Sequence, residues 1–235
     1  MIQTSVNLSA YVDWARTQFD RYMGCVAFLA TVTDDGEEGI GTAFHVGEGV
    51  FVTARHAVER RAIKQLNFNG VTAVIRDGPH FHEDPQVDVA CLRAGQIPDE
   101  YIRLGGHLDD WIGGYEFVLR RTLLLGYPPI PLSGPVPVAS VGEINATVDK
   151  YVGCRHPHFI ISSMARGGFS GAPVLFAYNE AEADKSTAAL GMVTETLVAN
   201  GGQPELGYLA VLTVEPIYVC LEQHNMLPKC QSLDP

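Results

Sequence analysis

The sequence contains no long hydrophobic run and few basic residues. No apolar stretch approaches the roughly 18 residues of a membrane-spanning helix, and the N-terminus lacks the basic-then-apolar pattern of a signal peptide. The chain has 16 Lys and Arg against 27 Asp and Glu, a net charge of -11. With so few basic residues, the chain has little positive charge to neutralise the phosphates of nucleic acids or lipids. We therefore expect binding neither to nucleic acid nor to membranes.

Cysteine is scarce, and its number is odd. The chain contains five cysteines, Cys25, Cys91, Cys154, Cys220 and Cys230. Cys25 and Cys91 fall within apolar segments, where a free cysteine behaves as a small buried hydrophobe. Because no export signal is visible, this usage predicts reduced thiols in a cytoplasmic protein.

Two pairs of nearby histidines bear on metal binding: His80 with His82, and His156 with His158. A zinc site needs three or four convergent ligands, usually with one pair on a regular element. Both pairs lie beside proline in segments typical of irregular loops. We predict solvated turns there, and neither a metal site nor a cofactor.

Short apolar or alternating segments, separated by glycine and proline, make up most of the chain. This pattern predicts an all-β protein. The predicted strands cover residues 25–33, 42–46, 50–53, 71–75, 87–92, 117–127, 136–148, 159–162, 174–178, 189–198 and 208–213. A glycine-rich stretch, residues 104–114, predicts a connection between two halves. Helical spacing predicts one helix at residues 8–23 and another at residues 215–224.

One serine lies between glycines in the sequence Gly168-Phe-Ser170-Gly-Ala-Pro173. A serine hydroxyl is a weak nucleophile, and its use needs a base and a site for the oxyanion that forms. Flanking glycines let the backbone bend sharply and leave N–H groups that can face a bound carbonyl. The pattern makes Ser170 a candidate nucleophile.

A histidine and an aspartate upstream supply the remaining groups. His56 directly follows a predicted hairpin, which would hold its imidazole at a cleft. Asp88 lies inside the apolar segment 87–92, where an isolated carboxylate needs a partner. A bond to Nδ1–H of His56 would fix the tautomer whose Nε2 accepts the serine proton. Asp77 and Asp84 are alternatives, but both lie in polar loops, so we favour Asp88.

These blocks resemble those of the trypsin/chymotrypsin-like serine proteases, above all the short bacterial and heat-shock (Deg-type) forms. Thr53-Ala-Arg-His56-Ala is similar to the family's TAxH block, Asp88-Val-Ala to its DxA block, and residues 168–173 to its GxSGGP block. Leu190-Gly-Met-Val-Thr194 resembles the strand that lines the substrate pocket. The resemblance spans residues 41 to 215 and implies two six-stranded antiparallel β-barrels with the active site between them.

The resemblance and the segment pattern together predict five regions. They are an N-terminal helical extension at residues 1–24, a first barrel at 25–104, a linker at 105–114, a second barrel at 115–214, and a C-terminal helix and tail at 215–235. Packing of the N-terminal helix against the back of a barrel is favoured over a docking role.

Carried onto this chain, the resemblance implies a serine endopeptidase with Ser170 as nucleophile, His56 as base and Asp88 as its orienting carboxylate. The backbone N–H groups of Gly168 and Ser170 would form the oxyanion hole. Many relatives have an aspartate before the nucleophile that captures a freed N-terminus, but Phe169 occupies that position here. Activation by N-terminal cleavage is therefore not expected.

The resemblance also implies a primary pocket. Its floor would be Met164, six residues before the nucleophile, and its walls would include Thr194, Thr196 and Gly207. A methionine floor predicts a small or medium apolar residue before the scissile bond. Glu195 should point away from this pocket unless the strand register shifts by one residue.

Two other functions remain open. An inactive protease-fold scaffold would bind a peptide in the cleft, but it would have no need of His56, Asp88 and Ser170 together. A serine esterase or acyltransferase usually has βα alternation, which the segments lack. For the protease we expect a protein or peptide substrate and a regulatory partner protein.

Overall fold

Helices are few and lie at the ends of the chain and in its connections. The computed structural model of the protein describes residues 8–106, 116–149, 154–164, 166–198 and 204–232. The helices are α1 (Leu8–Tyr22), α2 (Arg55–Val58), α3 (Ala183–Ser186) and α4 (Glu215–Gln223). No helix in these ranges is long and apolar enough to cross a membrane. The predicted linker, residues 105–114, lies outside the described residues from 107 onward.

The first half is a seven-stranded antiparallel sheet. Its strands are β1 (Val26–Val32), β2 (Glu38–Gly47), β3 (Val50–Thr53), β4 (Ala62–Phe68), β5 (Val71–Thr72), β6 (Ile75–Phe81) and β7 (Ala90–Ala94). Their order is β5-β4-β1-β2-β3-β7-β6. The sheet is open, with β5 and β6 as its edges, where a closed six-stranded barrel was expected. The extra strand, β5, is a two-residue hairpin partner of β4 that turns through Asn69 and Gly70, both with positive φ.

The second half is the closed six-stranded barrel that the resemblance implies. Its strands are β8 (Arg121–Gly126), β9 (Val138–Val148), β10 (His158–Ser162), β11 (Pro173–Ala177), β12 (Thr187–Val198) and β13 (Pro204–Thr213). They close in the order β10-β13-β12-β11-β8-β9. The predicted all-β, chymotrypsin-like class is thereby confirmed.

The two halves share one apolar core. Phe28 of β1 meets Tyr127, just after β8, with ring centroids 6.0 Å apart in an edge-to-face arrangement. Phe51 in the first half and Phe159 in the second are fully buried in the same cluster. Continuous packing of this kind holds the facing rims of the two halves in a fixed relation.

The terminal helices each pack against a barrel half. In α1, Trp14 Nε1 donates to Thr187 Oγ1 at 3.0 Å and Gln18 Nε2 to Asp184 Oδ1 at 2.9 Å, on the second half. After α4, His224 contacts the Phe81 carbonyl oxygen of the first half through Nε2 at 2.7 Å. The C-terminal helix therefore crosses from the barrel that precedes it in sequence to the opposite half.

Candidate active site

A cleft of about 450 Å³ opens between the two halves. Its lining brings together the three residues of the predicted triad with one wall of the second barrel. The lining residues include His56, Asp88, Arg166, Gly167, Ser170, Val193, Thr194, Glu195, Thr196 and Leu209. Residues far apart in sequence thus meet where the motifs predicted a common site.

His56 lies on α2, a single helical turn directly after β3. Its Nδ1 is 2.7 Å from Oδ2 of Asp88, and its backbone N–H donates to Oδ1 of the same carboxylate at 2.9 Å. The Asp88 carboxylate thus fixes both the imidazole ring and the backbone N–H of His56. With Nδ1–H donated to Asp88, the neutral imidazole presents Nε2 as an acceptor.

The predicted burial of Asp88 within a strand is wrong. Asp88 lies two residues before β7, and 27% of its side chain is exposed. The preceding turn is built by Asp84, whose Oδ1 accepts from Gln86 N at 2.9 Å and whose carbonyl accepts from Val87 N at 3.1 Å. The partner that Asp88 needs is present nevertheless, because the turn directs its carboxylate to His56.

Ser170 lies on a tight turn pressed against the first half. Gly171 has φ +86°, and a Cβ there would overlap the Thr42 carbonyl oxygen and Oγ1 of Thr53. The N–H of Gly171 donates to the Val193 carbonyl at 2.8 Å. Only glycine fits this position, because both the dihedral angle and the close approach exclude a side chain. The turn therefore fixes Ser170 between β12 and the hairpin β2–β3.

Two backbone amides beside the Ser170 hydroxyl have no acceptor among the described residues, those of Gly168 and Ser170. Gly168 is buried with φ +88°, and a Cβ there would lie 2.6 Å from the Tyr127 carbonyl oxygen. A buried N–H without an acceptor is costly, and a bound oxyanion would satisfy it. Phe169 between them is fully buried and anchors the turn.

Thr42 of β2 is a positioning residue that the motifs did not reveal. Its N–H donates to the Ser170 carbonyl at 2.9 Å, and its Oγ1 donates to the Gly168 carbonyl at 2.6 Å. The same Oγ1 accepts from Tyr127 N at 3.0 Å. Thr42 therefore clamps both ends of the nucleophile turn from the opposite half. Its sequence context, an alternating strand, gives no hint of these long-range bonds.

Replacing Thr42 by valine should lower the free energy of unfolding by about 2 to 4 kcal/mol, because two buried groups lose their hydrogen-bond partner while the shape of the side chain is kept. Urea unfolding measures this loss. Thr72→Val, on an exposed hairpin edge, is the matched control and should change stability by less than about 0.5 kcal/mol. Equal effects of the two substitutions would contradict the clamp.

The predicted pocket residues divide into two groups. Thr194 and Thr196 line the cleft. Met164 does not belong to this lining, and it is 48% exposed. Gly207 is also outside this lining, and its carbonyl accepts from Ser163 N at 2.9 Å. That bond ties Ser163 to β13 just after β10 ends, and the next residue, Met164, lies outside the cleft lining.

Glu195 was expected to point away from the primary pocket unless the strand register shifts by one residue, and the structure contains such a shift. Between Val193 and Glu195 the pairing of β12 with β13 shifts, because Val193 lies opposite Val211 while Glu195 lies opposite Ala210. Such a bulge adds one residue to a strand and changes the face on which the following side chains lie. Glu195 consequently lines the cleft with the His56–Asp88 pair.

The electrostatics of the cleft centre on His56. Burial lowers the pKa of His56, but the hydrogen bond and charge of Asp88 outweigh it and raise this pKa above its ordinary value of 6.5. The charge of Glu195 raises it further, against a small opposing effect of Arg61. Burial in turn raises the pKa of Glu195, as does the charge of Asp88, while His56 lowers it.

The histidines considered for metal binding lie elsewhere. His80 belongs to strand β6, where it pairs with Asp77 at 2.8 Å, so the predicted loop is wrong. His82, just beyond that strand, is buried. Within the described part of the chain, no group of three or more His, Cys, Asp or Glu side chains could hold a metal ion.

Comparison with known proteins finds the same fold among solved structures of proteases. No family model matches the chain, and no curated protein does. Among solved structures, the Rv3671c protease from M. tuberculosis in its active form matches with a TM-score of 0.66 and 17% identity, over 91% of this chain and 88% of that one. The HtrA-type protease AlgW with a tripeptide matches with a TM-score of 0.64 and 18% identity, over 90% of this chain and 63% of that one.

Identities this low establish a shared fold and nothing finer. The topology, a closed six-stranded barrel beside a second antiparallel sheet, agrees with that match over nine-tenths of the chain. The resemblance inferred from three short motifs is thus confirmed at the level of the fold, and the protein has the chymotrypsin-like double-barrel fold of these proteases.

Proposed function

We propose that the protein is a serine endopeptidase that hydrolyses peptide bonds through a Ser-His-Asp triad and an acyl-enzyme intermediate. The observation that carries the proposal is the convergence of Ser170 with the His56–Asp88 pair in one cleft. The proteases that share the fold support it, and solved structures of AlgW with a tripeptide and with a decapeptide make a peptide the natural choice of substrate.

In the first step, Ser170 Oγ attacks the scissile carbonyl carbon while Nε2 of His56 takes the hydroxyl proton. Asp88 holds Nδ1–H and stabilises the imidazolium that forms. The amides of Gly168 and Ser170 bind the oxyanion, and Thr42 keeps their turn in place. His56 then gives its proton to the leaving amine, and an ester of Ser170 remains.

In the second step, water hydrolyses that ester. His56 removes a proton from the water, the hydroxide formed attacks the acyl carbon, and the proton returns to Ser170 Oγ as the acid product leaves. Neither step needs a metal or a cofactor.

An inactive peptide-binding scaffold is the second candidate. One observation favours it: among the described residues, the Ser170 hydroxyl has no hydrogen-bond partner. Catalytic hydrogen bonds are often long before substrate binds, so the same observation fits a resting protease. The convergence of Ser170, His56 and Asp88 in one cleft supports the protease over the scaffold.

A fluorophosphonate probe tests the proposal. The wild-type protein should be labelled on Ser170, and Ser170→Ala should not be labelled, because the probe reacts with an activated serine. A casein digest then separates a peptidase from an esterase. Unlabelled wild type would support the scaffold, and labelling without proteolysis would support the esterase.

The pH dependence of kcat/KM should reflect His56, which acts as a base only when neutral. Because the pKa of His56 is raised above 6.5, kcat/KM should rise in one step centred above pH 6.5 and be constant beyond it. Glu195→Gln removes a negative charge that raises this pKa and should shift the step to lower pH. A rate independent of pH between about 5 and 8 would contradict a histidine base.

The setting of this activity is also a proposal. The acidic composition, the reduced cysteines and the bacterial source of one structural neighbour favour a cytoplasmic bacterial enzyme. A free cytoplasmic protease endangers its own cell, so we expect narrow specificity or a regulatory partner protein. Size-exclusion chromatography of the protein purified from its own cells, followed by mass spectrometry, would identify such a partner.

A further inference from the structure

The bulge in β12 places the negative charge of Glu195 in the cleft, and none of the sequence motifs predicts that charge. Glu195 shares the lining with Asp88, so two carboxylates border the same cavity of about 450 Å³. One of them, Asp88, is engaged by His56 through both of its oxygens. Among the described residues, the Glu195 carboxylate has neither a hydrogen bond nor a salt bridge.

A half-buried carboxylate without a partner is unfavourable, and a bound cation relieves that cost. Arg166, the cation that also lines the cleft, does not perform this role, because its exposed guanidinium forms no ion pair with Glu195 within the described ranges. The Glu195 carboxylate is therefore available to bind a cationic group of the substrate. The net charge of -11 favours the approach of such a substrate.

We propose that Glu195 receives a Lys or Arg side chain of the substrate at a fixed position beside the scissile bond. The inference rests on the proposed peptidase function and names its substrate class, segments with a basic residue. It replaces the apolar preference expected from Met164, which lies outside the cleft lining. A guanidinium or ammonium there forms a charge-assisted hydrogen bond with the carboxylate, which an apolar side chain does not offer.

A positional-scanning hexapeptide library measures this recognition. Each position in turn carries Lys or norleucine, which has the same four-carbon stem without the ammonium group. At one position, the wild-type kcat/KM for Lys should exceed that for norleucine by about 10- to 100-fold, the effect of one charge-assisted hydrogen bond. In Glu195→Gln this ratio should fall towards one, and in Glu195→Lys it should fall below one, because the two ammonium groups repel each other.

Glu182→Gln is the matched control, since Glu182 is an exposed carboxylate outside the cleft lining. It should keep the wild-type ratio. A wild-type ratio of one at every position would overturn the inference, and so would a Lys preference that Glu195→Gln leaves intact.

Fluorophosphonate labelling distinguishes failure of the inference from failure of the proposed function. A labelled protein without a Lys preference contradicts the inference alone. If the protein is not labelled, the affinity of the Lys and norleucine peptides for the Ser170→Ala protein measures recognition without chemistry. Equal affinities of the two peptides would overturn the inference in that case as well.

Discussion

Replacing Ser170 by alanine is expected to lower kcat by about 10⁶-fold, and replacing His56 by alanine should cost about the same, because the members of a triad act as one unit. The double variant should be scarcely slower than either single variant. Ser170 is half-buried on a turn fixed by the backbone of Thr42 and Val193, so removal of its hydroxyl should leave the fold unchanged. Steady-state hydrolysis of a casein substrate and urea unfolding measure the two properties.

Ser232→Ala is the control for the serine substitution, because Ser232 is exposed near the C-terminus and does not line the cleft. It should retain the wild-type rate. If Ser170→Ala hydrolysed casein at the wild-type rate, Ser170 could not be the nucleophile. An additive loss in the double variant would show that Ser170 and His56 act separately.

The residues of the proposed triad could be singled out from the sequence because each lies in a short motif with local causes. Glycines on both sides of Ser170 indicate a turn, and the predicted hairpin ends just before His56. A carboxylate among apolar residues requires a partner wherever it lies. This argument predicted a partner for Asp88, and the structure places its carboxylate on His56, although the predicted placement of Asp88 within a strand was wrong.

Strands that break the apolar pattern could not be identified in this way. Strand β6 contains Gly78 and Pro79, which usually mark a loop. It forms nevertheless because it is an edge of the sheet, where a proline need not donate to a neighbour. Strand β4 is mostly polar or half-exposed and was also missed. Whether a strand lies at the edge or inside a sheet depends on the tertiary structure, so the sequence pattern of one segment does not reveal it.

The positions of side chains that depend on strand pairing could not be predicted from the sequence either. Glu195 enters the cleft because β12 gains a residue against β13, and alternation along one strand cannot reveal a bulge that its partner defines. Thr42 clamps the nucleophile turn through bonds that span 126 and 85 positions of the chain. The candidate catalytic residues are thus recognisable from local sequence, whereas the placement of Thr42 and Glu195 depends on pairing between distant strands.

Asp88→Asn should lower kcat by about 10⁴-fold while leaving the protein folded. The asparagine oxygen can still accept from the backbone N–H of His56, as Oδ1 of Asp88 does at 2.9 Å. Its amide, however, would donate to Nδ1, which Oδ2 of Asp88 now approaches at 2.7 Å. The neutral imidazole would then carry its proton on Nε2 and could not accept one from Ser170.

The same substitution removes a negative charge that raises the pKa of His56, so any residual activity should appear at lower pH than in the wild type. Asp77→Asn offers a matched control, since Asp77 Oδ1 lies 2.8 Å from His80 Nε2, close to the 2.7 Å of the Asp88–His56 pair, and neither residue lines the cleft. It loses an aspartate–histidine pair of equal chemistry and should keep the wild-type rate and pH profile. A neutral effect of Asp88→Asn, or an equal loss in both variants, would mean that the pair with His56 is structural and that the base is oriented by another group.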